Sequence, residues 1–484
     1  MNKNFTDKLK SIEKVLNNWS HRYLTPFGKI CIIKSLCLSK LSHVALVMPN
    51  PNKDLIKRIE GIFFKFIWGG KSEKVRREDC KVSELYGGLS MPDISKFWTA
   101  FKFSWLRRLL SSSSFWPKIL LKNISDIIEQ PITPHDLLQL GASRLVDISK
   151  HILNPFWKQC LSSALPVTIG AMFCFPEKLI HSPLFYNPMI IRRNIVKPSD
   201  FPELITVGVS LVNFFYTGTT ILMSWEDFQE RHSLTISQER FIDVRYTIKT
   251  AISKLRLTES KIDSAQFPEK PILIDIALST VKGCSKYYKI LTKKTSLYNK
   301  IHLREEKWHL ELGSSLSVPF WNSARRFYAR IKFDNNLKWL QFQITRNSLQ
   351  TNFIVSHFKN NVTAICSYCR NPDSLEKISH LFWSCPEVQH FVDEVSDYLK
   401  SIDIMFHPTK KEFLFGYYDI DSFMPKNYIS LVMKKYIWLT KFRNPNLSLV
   451  GFRSLLKPCV VDLVFYLKIR NLQVIEWERV LNSL

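Results

Sequence analysis

Phe5, Leu9, Ile12, Leu16 and Trp19 recur at steps of four and three along the start of the chain, with Lys8, Lys10 and Lys14 between them. That spacing puts the apolar side chains on one stripe of a helix, and such a stripe needs a partner to cover it. A second helical run is predicted over 29–47 and is interrupted by Pro49 and Pro51. A third begins at Asp54, with Leu55, Ile59, Ile62, Phe63 and Phe66 on one side and Lys57, Arg58 and Lys65 on the others. Gly69-Gly70 and Gly87-Gly88 read as turns around a charged excursion, and a further helix is predicted over 94–110. Residues 1–112 therefore read as one helical domain.

From Ser111 the texture changes to short mixed elements, with Pro117, Pro131, Pro134, Pro155, Pro166, Pro176, Pro183 and Pro188 breaking any long helix. Periodicity places no fold on this connecting domain, 113–325. Its stretch Leu204 to Ser224 is uncharged and long enough to cross a bilayer, but Asn213, several hydroxyls and two glycines favour a buried helix or a strand pair. Between Glu305 and Ser348 aromatic and basic residues interleave at helical spacing, and the pattern returns over 433–443. No internal repeat appears. The expected fold class is mainly α, a multi-domain helical protein whose last domain is 326–484.

Charge changes the picture next. The chain has 484 residues, of which 68 are Lys or Arg and 42 Asp or Glu, giving a net charge of +26. An excess that large favours polyanionic partners, nucleic acid first and an anionic membrane surface second. The residues expected to meet phosphate are Arg325, Arg326, Arg330, Lys332, Arg346, Lys434 and Lys435, since each neutralised phosphate releases counterions and makes binding salt-sensitive. The rings between them are more often core than stacking platforms. The segment Met1 to Lys14 has no continuous apolar run, so no secretory signal is read there and a reducing, intracellular setting is expected.

The cysteines agree with that setting. There are ten, most of them isolated, a pattern that suits reduced thiols better than a disulfide framework. Only Cys366, Cys369 and Cys385 cluster, and His380 lies among them, so three thiolates and an imidazole fall within twenty positions. This spacing matches a tetrahedral structural Zn2+ site, a small CCHC zinc-knuckle-like element near the C-terminus. Four protein ligands would close the coordination sphere and leave no open position for activating water. His357 and His390 are the substitutes for a ligand. Arg370 and Lys377 lie in the loop between the ligand pairs. Tyr368 and Trp383 offer rings for base stacking or for packing around the metal.

Other chemistry is missing. Two-metal nucleotidyl transfer needs closely placed carboxylates, and the chain has no Asp-Asp pair. Gly69-Gly70-Lys71-Ser72 lacks the earlier glycine of a phosphate-binding loop, because Lys65 stands there. No Gly-x-Ser-x-Gly or His-Glu-x-x-His is present.

With these residues in view, the chain resembles the part of LINE-type, non-LTR retrotransposon polyproteins that follows the polymerase palm. A thumb-like region of that family reads much like Trp19-Ser-His-Arg22-Tyr-Leu24-Thr-Pro-Phe-Gly28-Lys29 with Ile33-Lys34-Ser35, then Phe66-Ile67-Trp68-Gly69 and Gly87-Gly88-Leu89-Ser-Met91-Pro92. The middle is similar through Pro183-Leu-Phe-Tyr-Asn187-Pro188 and Ser237-Gln238-Glu239. The end is similar through Trp339-Leu-Gln341-Phe, Leu349-Gln-Thr351-Asn352 and His380-Leu-Phe-Trp383-Ser-Cys385-Pro386. The resemblance implies handling of template RNA and target DNA during target-primed reverse transcription, in nucleus and cytoplasm, with Lys29, Lys34, Arg76 and Arg77 as backbone contacts. The family's endonuclease and its aspartate-bearing palm would lie upstream of the matching region, so the chain is not expected to copy DNA by itself. Two other readings stand beside this one. The chain could complete a reverse transcriptase with a separate palm-containing subunit, or serve as a zinc-organised protein–protein module.

Overall fold

The structure of the chain, a computed structural model, describes residues 2–180, 182–192, 194–206, 208–217, 221–233, 235–257, 272–279, 283–293, 303–313, 315–417, 421, 424–443 and 445–484. Helix accounts for 68% of it and strand for 2%, which makes the fold mainly α. The apolar stripes predict the N-terminal helices well. Asn2–Ser20, Lys53–Trp68 and Ile94–Ser111 are helices, and Phe5, Leu9, Ile12 and Leu16 are buried along one side of the first. The run over 29–47 is nearly continuous, from Pro26–Ile32 through a π-helical turn, Ile33–Cys37, to Leu38–Val47. Among the described residues Pro26–Val47 is long and apolar enough to cross a membrane, a test that core helices of soluble proteins also pass.

The middle, unplaced by periodicity, is helical as well. Its prolines sit where a helix tolerates them: Pro117, Pro134 and Pro155 occupy the first turns of Trp116–Ile128, Pro134–Gln139 and Pro155–Ser162. A first-turn N–H has no intrahelical acceptor, so proline loses nothing there. Thr133 and Asp136 close a capping box on the second of these helices, and Asn154 caps the third. The described part of Leu204 to Ser224 includes a two-residue strand pair, Tyr216–Thr217 with Ile221–Leu222.

The chain divides otherwise than into 1–112, 113–325 and 326–484. Met1–Val15, Ser35–Phe63 and Pro92–Tyr298 form one compact unit, and Leu16–Lys34, Phe64–Met91 and Asn299–Leu484 form the other. In the first unit Ile94–Ser111 buries Trp98, Phe103, Leu106 and Leu109, and packs against Leu38–Val47, Pro155–Ser162, Ile272–Leu278 and Ser285–Thr292. A boundary at residue 112 would separate that face from three of these four helices, leaving it only Leu38–Val47. Lys102 Nζ and Trp105 Nε1 donate to the carbonyls of Ala45 and Leu46, at 2.6 and 2.9 Å. They satisfy carbonyls that the end of Leu38–Val47 leaves without intrahelical donors.

In the second unit Asn335–Thr345 is the central helix, buried from Leu337 to Thr345 except at Trp339. Phe27, Trp68 and Phe342 surround Trp339 at 6.1, 6.4 and 5.3 Å between ring centres. The segments around Phe27 and Trp68 thus pack with the C-terminal residues in one unit. Gly88 explains the second glycine turn: a Cβ there would lie 2.0 Å from the carbonyl oxygen of Val82.

Candidate metal centre

Two backbone segments bring the cysteine and histidine side chains together. The first is a tight hairpin. Ile365 and Leu375 form an antiparallel bridge, Cys366 N–H donates to Ser374 O at 3.1 Å, and Glu376 N–H to Ala364 O at 2.8 Å. Its turn carries Cys366 and Cys369 and closes through Arg370, whose φ of 51° is left-handed. The second is the π-helical turn His380–Ser384, after which Cys385 stands at the N-cap of Pro386–Lys400. Insertion of one residue into the helical repeat, frequent at functional sites, faces both His380 and Cys385 toward the hairpin.

The ligand atoms of Cys366, Cys369, His380 and Cys385 all lie within 4.8 Å of one another, a set that could hold a metal ion. Cys366 Sγ is 3.8 Å from Cys385 Sγ, and Cys369 Sγ is 3.5 Å from His380 Nε2. The hydrogen bond that the Cys366 thiol donates to Cys385 pushes Cys366 up to about 12 and draws Cys385 down. Leu381 and Phe382, which follow His380 in the turn, are fully buried, and Trp383 packs on Phe413 at 5.7 Å.

A buried carboxylate locks the hairpin in place. Glu376 is fully buried and accepts from Asn352 N–H at 2.8 Å, from Ser367 N–H and Oγ at 2.9 and 2.7 Å, and from Lys441 Nζ. Lys441 lies at the end of Pro425–Thr440, so a buried ion pair ties the hairpin to that helix. The sequence reading missed both residues. A glutamate in a cysteine-bounded loop was the one available signal, and it does not separate a buried acid from a solvated one.

The structure treats the predicted cations unequally. Arg325, Arg346 and Lys434 are buried, and the expectation that they meet phosphate is corrected. Arg325 pairs with the buried Glu305, Arg346 Nη2 donates to Gly87 O, and Lys434 Nζ donates to Gln341 Oε1 at 2.5 Å and Phe413 O at 2.8 Å. Burial holds the Lys434 amine down to about 7. Tyr368 is corrected likewise: its ring is buried and its hydroxyl donates to Ile437 O, so it offers no face for stacking.

Several others reach internal partners from the surface. Lys29 donates to Ile67 O at 3.2 Å, Lys435 pairs with Asp334 at 3.3 Å, Lys332 with Glu84 at 3.4 Å and Arg330 with Asp421 at 2.9 Å. Arg77 pairs with Glu73 at 2.7 Å, and exposed Arg326 donates to Asn322 O at 3.2 Å. Lys34, Arg76, Arg370 and Lys377 are exposed. Fold and site together define a helical protein with a centre of three cysteines and a histidine fit for a metal ion. No family model matches the chain, and no curated protein matches it.

Proposed function

We propose that Cys366, Cys369, His380 and Cys385 hold a structural zinc ion, and that the protein binds RNA and DNA without copying either. The reading follows the resemblance to the non-catalytic C-terminal part of a non-LTR retrotransposon reverse transcriptase. The observation that carries the metal is a pair of distances. Zinc in a tetrahedron of thiolates at about 2.3 Å and imidazole at about 2.0 Å sets S···S edges of about 3.8 Å and S···N edges of about 3.5 Å. The corresponding separations here are 3.8 Å and 3.5 Å. Bound zinc would deprotonate the thiols and add its binding energy to the folding of the knuckle.

Support for nucleic acid comes from the net charge of +26 and from the exposed Lys34, Arg76, Arg370 and Lys377. These side chains bind backbone phosphate without reading base identity. The test joins metal analysis of the purified chain to fluorescence-anisotropy titrations with single-stranded RNA, single-stranded DNA and duplex DNA over a salt series. One equivalent of zinc and affinity that falls steeply with salt are expected. Absence of binding to all three at low salt would make the positive charge incidental to partner choice.

A further inference from the structure

The ring expected to stack on bases, Tyr368, is buried, but the knuckle carries a different aromatic surface. Asn352–Ser356 is a short helix fixed to the hairpin: Asn352 Nδ2 donates to Ile365 O at 3.0 Å and to Ser367 Oγ at 3.1 Å, beside the first cysteine. The next residue, Phe353, is half-buried, with Lys377 Nζ 5.4 Å from its ring centre and the His357 ring edge-on at 5.0 Å. The chain then turns and presents Phe358 with 82% of its surface exposed, next to exposed Lys359. A lone exposed phenylalanine needs no explanation. This one follows a cation-flanked ring, on a segment pinned to the metal cluster, with Arg370 and Lys377 exposed on the hairpin itself.

Resting on the nucleic-acid reading above, we infer that Phe358, with Phe353, Lys359 and Lys377, forms a docking platform for a single strand of RNA or DNA. A base stacks on Phe358, and the lysines neutralise the adjoining phosphates. Rings beside cations suit unpaired bases, because every base has a π face and duplex bases have theirs covered. Anchorage through Asn352 makes the platform depend on the folded knuckle.

The experiment uses the full, metal-loaded chain with labelled oligouridylate and oligothymidylate of about a dozen nucleotides, and a duplex of mixed sequence. Phe358→Ala is expected to weaken binding to both single strands roughly tenfold and to leave duplex binding and metal content unchanged. Phe358→Trp restores single-strand affinity. Lys377→Gln lowers the slope of log affinity against log salt by about 0.7 on single strands. Unchanged single-strand affinity in Phe358→Ala overturns the platform and leaves nucleic-acid binding standing; so does an equal loss on duplex. A wild-type chain that binds none of the probes overturns the nucleic-acid reading and the platform together.

Discussion

Two central helices show two ways of building an interior. Ile94–Ser111 in the first unit meets its neighbours mostly through hydrocarbon, with Phe103 against Tyr287 at 4.7 Å and Leu106 and Leu109 buried in one continuous apolar cluster, and with buried Lys102 on the Ala45 carbonyl as its polar exception. Asn335–Thr345 in the second unit carries buried Lys338, Gln341 and Thr345, each with a partner: Glu84 at 2.5 Å, Leu414 O at 2.8 Å and Gln341 O at 2.9 Å. Around that helix the buried pairs Glu305–Arg325 and Glu376–Lys441 extend the same style. An apolar core tolerates exchange of shape for similar shape, whereas a polar interior depends on each partner's presence. The second unit should therefore be the one in which a single atom change is severe.

The largest expected effect is at the cluster. On the zinc proposal Cys369→Ser removes one ligand, and structural zinc contributes on the order of 10 kcal/mol to small zinc-folded segments. Residues 364–385 should then lose protease resistance and the protein its zinc, while the first unit keeps its cleavage pattern. Zinc and protection retained in that variant would remove the metal assignment.

Next come two substitutions matched in shape. Glu376→Gln keeps the outline of the side chain but leaves Lys441 without its counter-charge, at a cost of about 3–5 kcal/mol. Leu106→Met in the apolar cluster should cost less than about 1.5 kcal/mol. Urea midpoints of the two variants decide the matter; equal losses would erase the contrast between the interiors.

Lys434 gives a smaller effect that depends on pH. Its two acceptors match the two hydrogens of a neutral amine, and burial brings it down to about 7. The unfolded chain holds this proton up to about 10.4. Between these values unfolding takes up a proton, so stability rises as pH rises, and the cost of the buried charge is complete only below about 7. The wild type should gain on the order of a few kcal/mol over Lys434→Met between pH 7 and 10, read from denaturation at each pH. Lys102, which burial lowers to about 8, adds a smaller gain of the same sign over a narrower pH window in the first unit. An identical pH dependence in wild type and Lys434→Met would show that the amine stays charged in the fold. The smallest change is at the rim: Arg370→Gln should shift stability by less than about 0.5 kcal/mol and be felt mainly in salt-dependent binding.

The N-terminal helices were legible because Phe5, Leu9, Ile12 and Leu16 repeat at the helical period and bury together. The middle was not, because a proline breaks a helix interior but starts a first turn, and spacing alone does not tell which; Pro117, Pro134 and Pro155 are starts. The cysteine and histidine set was legible from spacing, since a hairpin and one turn suffice to gather it. Its supports were not: Glu376 meets Lys441 across 65 positions, and Arg346 meets Gly87 across 259.

By itself the sequence determined the helical class, the set of three cysteines and a histidine that could hold a metal ion, and the net charge, all of which follow from local spacing and composition. Only the tertiary structure decided which cations face water. Arg325 and Arg326 are neighbours in the chain, yet one is buried against Glu305 and the other exposed. The same holds for the division of the chain, because segments as far apart as Phe64–Met91 and Asn299–Leu484 share one unit. The physical reason is that burial is a property of what packs over a residue, and the covering residues come from anywhere in the chain.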